Sequence, residues 1–110
     1  ATDTMEDAAR RELIEETGWA AERVEVLMAG PSSSGMSNEI VAFVRATGLT
    51  RIGPGGGDET EQITVHEIPR ADAAGWLSRK MAEGYALDPK LWAGLWFIDF
   101  NPDGTRARSE

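Results

Sequence analysis

Three glutamates, Glu12, Glu15 and Glu16, stand within five consecutive residues of the string RELIEETGW. At about 100° per residue, with Glu12 set at zero, Glu16 falls at about 40° and Glu15 at about 300° of a helix, so the three share one face. Met5, Ala8, Ala9 and Leu13 lie within or beside the same arc, so the acids occupy the side such a helix would ordinarily bury. Local energetics oppose this arrangement. Acids in a last turn meet the negative end of the helix dipole at a cost of about 0.3–1 kcal/mol each, and like charges one turn apart add to it. A hard divalent cation reverses the balance, because carboxylates one turn apart offer it oxygen ligands while it keeps waters that a phosphate can displace. Arg11, adjacent to Glu12, is able to hold a carboxylate through a bidentate contact. The alternative is a solvated acidic helix with no ligand. A second acidic pair, Glu59 and Glu61, follows the glycine run Gly55–Gly57.

The elements that must position these residues are legible in outline. Glu6–Trp19 reads as one helix, opened by a capping-box-like Thr4 and Asp7 and stopped by Gly18. A strand over Val24–Ala29 follows, then a loop over 31–38 broken by Pro31 and Gly35. Ile40–Val44 is a continuous apolar run, as expected of a central strand covered on both faces. GLTRIGPGGGDETEQ reads as a mobile loop leading into a short alternating strand, Ile63–Ile68. Pro69 opens a helix to about Glu83, with Ala74, Leu77 and Met81 on one stripe and Gly84 as the stop. Asp88 and Pro89 open a last helix, LWAGLWFIDF, apolar nearly all round and expected to be buried against several partners. The polar residues 101–110 read as a frayed tail.

Composition narrows the function classes. At 110 residues and 41% hydrophobic content the chain has material for a single domain, 1–110. Its formal net charge of −8 has the wrong sign for a nucleic-acid backbone, so a phosphate-bearing ligand would need to arrive with divalent cations. No apolar run has the length of a membrane span, and no signal peptide is visible. The absence of cysteine excludes thiolate metal sites and fits a reducing, cytoplasmic setting.

Arg11–Trp19 resembles the C-terminal half of the Nudix box, Arg-Glu-apolar-any-Glu-Glu-any-Gly-apolar, at every fixed position. The preceding AAR is also usual in that family. The box's earlier glutamate would fall at Asp3, and its opening glycine before residue 1. The resemblance implies an α/β fold, the Nudix α/β/α sandwich with a mixed sheet, whose N-terminal strands fall before the first residue. It implies Mg²⁺ or Mn²⁺ held by Glu12, Glu15 and Glu16, with Arg11 orienting the carboxylates. GGGDETEQITVHEIP, Gly55–Pro69, is similar to a loop and strand of the ADP-ribose and GDP-mannose pyrophosphatases. By that match Glu59 is the general base and Glu61 a further metal ligand. The mobile glycines would let the loop close over substrate. Pro31 and the turn Gly35–Glu39 resemble a feature of the same branch, which places Ser34, Gly35 and Met36 at the substrate; an ordinary turn explains them as well.

The implied reaction is hydrolysis of the pyrophosphate of a nucleotide sugar, a small-molecule substrate, and the resemblance to this branch implies a homodimer in which Leu91–Phe100 faces a partner. Nucleic acid and membrane are not expected partners. Two competing readings are a non-catalytic Nudix-like binding module and an inert piece of a larger protein. His66 is expected to be a packed or hydrogen-bonded structural histidine rather than a catalytic one. Trp92 and Trp96 are expected in core or interface.

Overall fold

Thr4 closes the capping box that starts α1 (Met5–Thr17): its Oγ1 accepts from the Asp7 amide at 3.0 Å, and its own amide donates to Asp7 Oδ2 at 3.2 Å. The computed structural model describes residues 4–32, 35 and 38–108. At the other end Gly18, at φ 83°, turns the chain through the left-handed region, and its amide donates to the Ile14 carbonyl at 2.8 Å. A side chain here would be strained, and its Cβ would run into the Gly53 carbonyl. The chain therefore leaves the helix directly into β1 (Trp19–Pro31).

β1 pairs antiparallel with β2 (Ile40–Arg51), from Trp19 opposite Arg51 to Pro31 opposite Ile40, with a bulge between Val26 and Met28. Both strands outrun the apolar runs that announce them. Mutual pairing satisfies the backbone of Ala20, Ala21, Thr47 and Thr50, residues that hydrophobic pattern does not flag. Val24 and Val26 face Ala46 and Val44 across the ladder on one side, with Val24 buried. Glu25 and Arg45 pair on the other side, where Glu25 also meets Arg23 at 3.4 Å. The expectation that Ile40–Val44 is covered on both faces is not met at its ends: Ile40 and Val44 are 58% and 37% exposed. The α/β class holds, and among the described residues its sheet is this one antiparallel pair.

Three further expectations are corrected. Ile63–Ile68 forms no strand, because a strand needs a ladder partner and the chain divides there into two compact units, after Val65. The glycine loop is not loose; its backbone is bonded to the end of α1, as described below. The tail does not fray at residue 101: Asn101 donates to the Thr105 carbonyl and Ala107 to that of Asp99, both at 2.8 Å.

In the second unit, a 3₁₀ turn (Arg70–Asp72) precedes α2 (Ala73–Ala82), and α3 (Lys90–Asp99) follows. The His66 ring lies 4.8 Å from that of Trp76, while the residue itself is exposed. Lys80 Nζ stands over both Trp76 and Tyr85, at 5.4 and 5.3 Å, and meets Glu83 at 3.4 Å. Trp96 packs edge-on to Phe97 and stacks on Phe100, each at 5.2 Å. Of α3 only Phe97 is buried, so burial against several partners is not what these residues show; Leu91, Trp92 and Trp96 remain exposed. No described helix is long and apolar enough to cross a membrane.

Candidate functional site

The first unit brings α1 across the hairpin and leaves an open cleft of about 240 Å³ between them, lined by Ala9, Glu12, Leu13, Glu16, Val24, Val44 and Ala46. Apolar side chains on both walls are what an amphipathic helix on a sheet should give. The two glutamates are not, and they confirm the placement read from helical spacing: Glu12 and Glu16, one turn apart, share the sheet-facing side with Ala9 and Leu13. Glu15 is exposed and Glu16 half-buried.

Arg10 locks this helix to the hairpin. Its guanidinium donates to the Ala21 carbonyl at 2.7 Å and more weakly to that of Glu22 at 3.3 Å. Spacing singles out Arg11 instead, which is exposed. The Arg11 charge acts together with that of Arg10 on Asp7, where both add a minor downward pull to a carboxyl lowered mainly by its hydrogen bonds with Thr4.

The glycine loop completes the site. A helix leaves its last four carbonyls without intrahelical donors, and here Gly56 donates to the Glu16 carbonyl at 2.8 Å and Gly57 to that of Glu15 at 2.9 Å. Ile52 and Gly53 both donate to the Gly18 carbonyl, at 2.8 and 3.1 Å. The approach is close enough that a Cβ on Gly55 would collide with the Thr17 backbone. Thus the loop is docked on the helix end, immediately before Asp58–Glu61.

The electrostatics of Glu16 register the loop as well. The Glu16 carboxyl is pushed above its usual range, first by desolvation and then by the charges of Glu12, Glu61 and Glu15 in that order. Glu61, distant in sequence, therefore acts on Glu16 more strongly than Glu15 does. Glu61 is held in a tight turn: Asp58 N donates to its Oε1 at 3.1 Å, and its own amide donates to the Asp58 carbonyl at 3.1 Å. Thr60 donates to Asp58 Oδ1 from both its amide, at 2.8 Å, and its hydroxyl, at 2.6 Å. Glu59 lies exposed between them.

The predicted site residues are thus distributed unevenly. Glu12 and Glu16 share the cleft, Glu61 reaches Glu16 through its charge, and Glu15 is exposed outside the cleft lining. Gly35 is exposed, at φ 73°, while Ser34 and Met36 lie outside the described residues. Among the described residues, no three acidic or histidine side chains form a closed ligand set as placed. The donor chemistry nevertheless fits a hard divalent cation, since all the groups are carboxylates and their mutual repulsion at Glu16 is what such a charge neutralises. Sequence reasoning missed Arg10, Asp58 and Thr60. The Asp-any-Thr turn pattern was a usable signal for the last two; for Arg10 the signal was the AAR string that precedes the box.

Comparison with known proteins adds an independent line. Residues 1–86 match the family model described as the NUDIX domain. The chain is 37% identical over 79 residues to an ADP-ribose pyrophosphatase of Escherichia coli strain K12, a match covering 68% of this chain and 37% of that protein. The Shigella flexneri ADP-ribose pyrophosphatase matches to the same extent. A GDP-mannose pyrophosphatase of Enterobacter sp. strain 638 is 44% identical over 69 residues, covering 61% of this chain and 36% of that protein. The chain spans little more than a third of the length of these curated relatives.

Proposed function

Because the chain belongs to the Nudix family, we propose that it contributes the catalytic half of a nucleotide-sugar pyrophosphatase, acting on ADP-ribose or GDP-mannose with Mg²⁺ or Mn²⁺. The observation that carries the reading is that Glu12 and Glu16 line one cleft beneath the helix, with the charge of Glu61 also acting on Glu16. The names of the similar proteins support the substrate class.

Glu12, Glu15, Glu16 and Glu61 would hold the cation, whose contribution when bound is to offset the charge of the phosphates. Arg11 offsets part of the helix's negative charge. Glu59, exposed at the tip of the Asp58–Glu61 turn, takes the proton of a water whose oxygen bonds to one phosphorus. The bridging P–O bond breaks, and the products are a nucleoside monophosphate and a sugar phosphate. The docked glycine backbone holds the turn in place, so that base and ligands are set before substrate arrives. Ser34, Gly35 and Met36 belong to the substrate side of this reading. It also includes a homodimer in the cytoplasm, for which exposed Leu91, Trp92 and Trp96 offer an apolar face.

The test is release of nucleoside monophosphate from ADP-ribose and from GDP-mannose by the intact protein, with and without Mg²⁺. Cation-dependent release that drops in Glu16→Gln supports the reading. Equal release by Glu16→Gln, or release indifferent to cation, contradicts it.

A further inference from the structure

Glu61 is not a fixed part of any helix or strand, yet its side chain is tightly placed. Gly57, bonded through its amide to the Glu15 carbonyl, is so close to it that a Cβ on Gly57 would lie 2.8 Å from Glu61 Cβ. The path from helix to carboxylate therefore runs through three short links. The Gly56 and Gly57 amides anchor the loop to α1. The Asp58 amide holds Glu61 Oε1. The Asp58 side chain, in turn, is fixed by the two bonds it accepts from Thr60. Those same bonds hold the Asp58 carboxyl below its usual range, the Thr60 hydroxyl first, as expected of a group whose ionised form is the acceptor.

We propose that Asp58 and Thr60 form a clasp that positions Glu61 toward α1 and so sets the cation affinity of the site, without either residue being a ligand. The proposal rests on the metal-assisted reading of the site given above. Asp58 acts as a positioning residue. Its role is to fix a turn, and an acceptor at Oδ1 is sufficient for that; a ligand role would need its charge.

That difference makes the two roles separable. Mn²⁺ is titrated calorimetrically into the intact protein and into Asp58→Ala, Asp58→Asn, Thr60→Ser and Glu16→Gln, with thermal melting of each in the absence of metal. Losing a supporting contact to a metal ligand weakens affinity by about 10–100-fold. Asp58→Ala is expected to fall in that range at unchanged metal-free melting, since the turn is exposed. Asp58→Asn and Thr60→Ser, which keep the acceptor and the hydroxyl donor, are expected to stay within about threefold of the parent on the same scale. The proposal is overturned if Asp58→Ala binds Mn²⁺ as the parent does while Glu16→Gln binds weakly, an outcome that leaves the site reading intact. It is equally overturned if Asp58→Asn loses as much as Asp58→Ala, because charge and not geometry is then what matters. A parent that takes up no Mn²⁺ overturns both the clasp and the reading beneath it.

Discussion

The two ends of α1 carry the same residue type to opposite effect. At the N-terminus, Glu6 and Asp7 stand where the helix dipole is positive, and Asp7 is further satisfied by a reciprocal capping box, so its carboxyl lies below the usual range. At the C-terminus, Glu15 and Glu16 stand where the dipole is negative, no basic residue occupies the last turn, and the Glu16 carboxyl is pushed up. One end is arranged for the helix and the other against it. The loop that caps the unfavourable end relieves its carbonyls through glycine amides but brings a further acid, Glu61, to the carboxylates. A cap chosen for stability alone would bring a cation.

This contrast is breakable in order of expected effect. Glu16→Gln should lower cation-dependent hydrolysis by about 100-fold or more, since even a residue supporting a metal ligand is worth 10–100-fold. Product release in a steady-state assay measures it. Gly55→Ala, whose added Cβ meets the Thr17 backbone at positive φ, should cost about 2 kcal/mol, within the range for enforced backbone strain, and should also weaken cation binding by moving the loop. Urea unfolding and Mn²⁺ titration report the two effects separately. Thr4→Ala, which removes the capping box, should cost about 1 kcal/mol and leave Mn²⁺ affinity unchanged. If it weakens the site as Gly55→Ala does, the two ends are not independent.

The smallest effect is in pH dependence, and its sign differs between the ends. The folded-state value of Asp7 is depressed, so its contribution is present above the unfolded value, about 3.9, and is lost as pH falls through the folded one. The Glu16 value is raised, so metal-free stability gains from its protonation at low pH, and that gain disappears as pH rises through the folded value. Asp7→Asn should therefore lessen the acid loss of stability, whereas Glu16→Gln should flatten the gain on mild acidification. Melting of the metal-free proteins between pH 3 and 7, read against about 3.9 and 4.3 as the unfolded values, separates the two slopes.

What was legible in the sequence was mostly local. Thr4, Asp7 and Gly18 announce α1 and its limits because caps are short-range chemistry. The shared face of Glu12 and Glu16 follows from helical period alone. The ladder that lengthens β1 and β2, the bond network joining Gly56 and Gly57 to α1, and the grip of Arg10 on Ala21 and Glu22 all join residues far apart in the chain. Periodicity carries no information about such partners. The same limit explains Ile63–Ile68, whose alternation reads as a strand but which lacks a ladder partner, and the apolar α3, whose composition implies burial that only Phe97 attains. Resemblance to a family singled out Glu61 where periodicity did not, and the structure adds the backbone bonds by which its loop is held to α1.

The central claim is that the acidic end of α1 exists for a cation and not for the helix. Thermal unfolding of the intact protein and of Glu16→Gln, each without metal and with saturating Mn²⁺, tests this most directly. A ligand that binds only the folded state raises stability by mass action. The account predicts that Glu16→Gln melts no lower than the parent without metal, and that Mn²⁺ raises the parent's Tm well above that of the variant. A variant that melts lower without metal, with Mn²⁺ shifting both proteins equally, would contradict it.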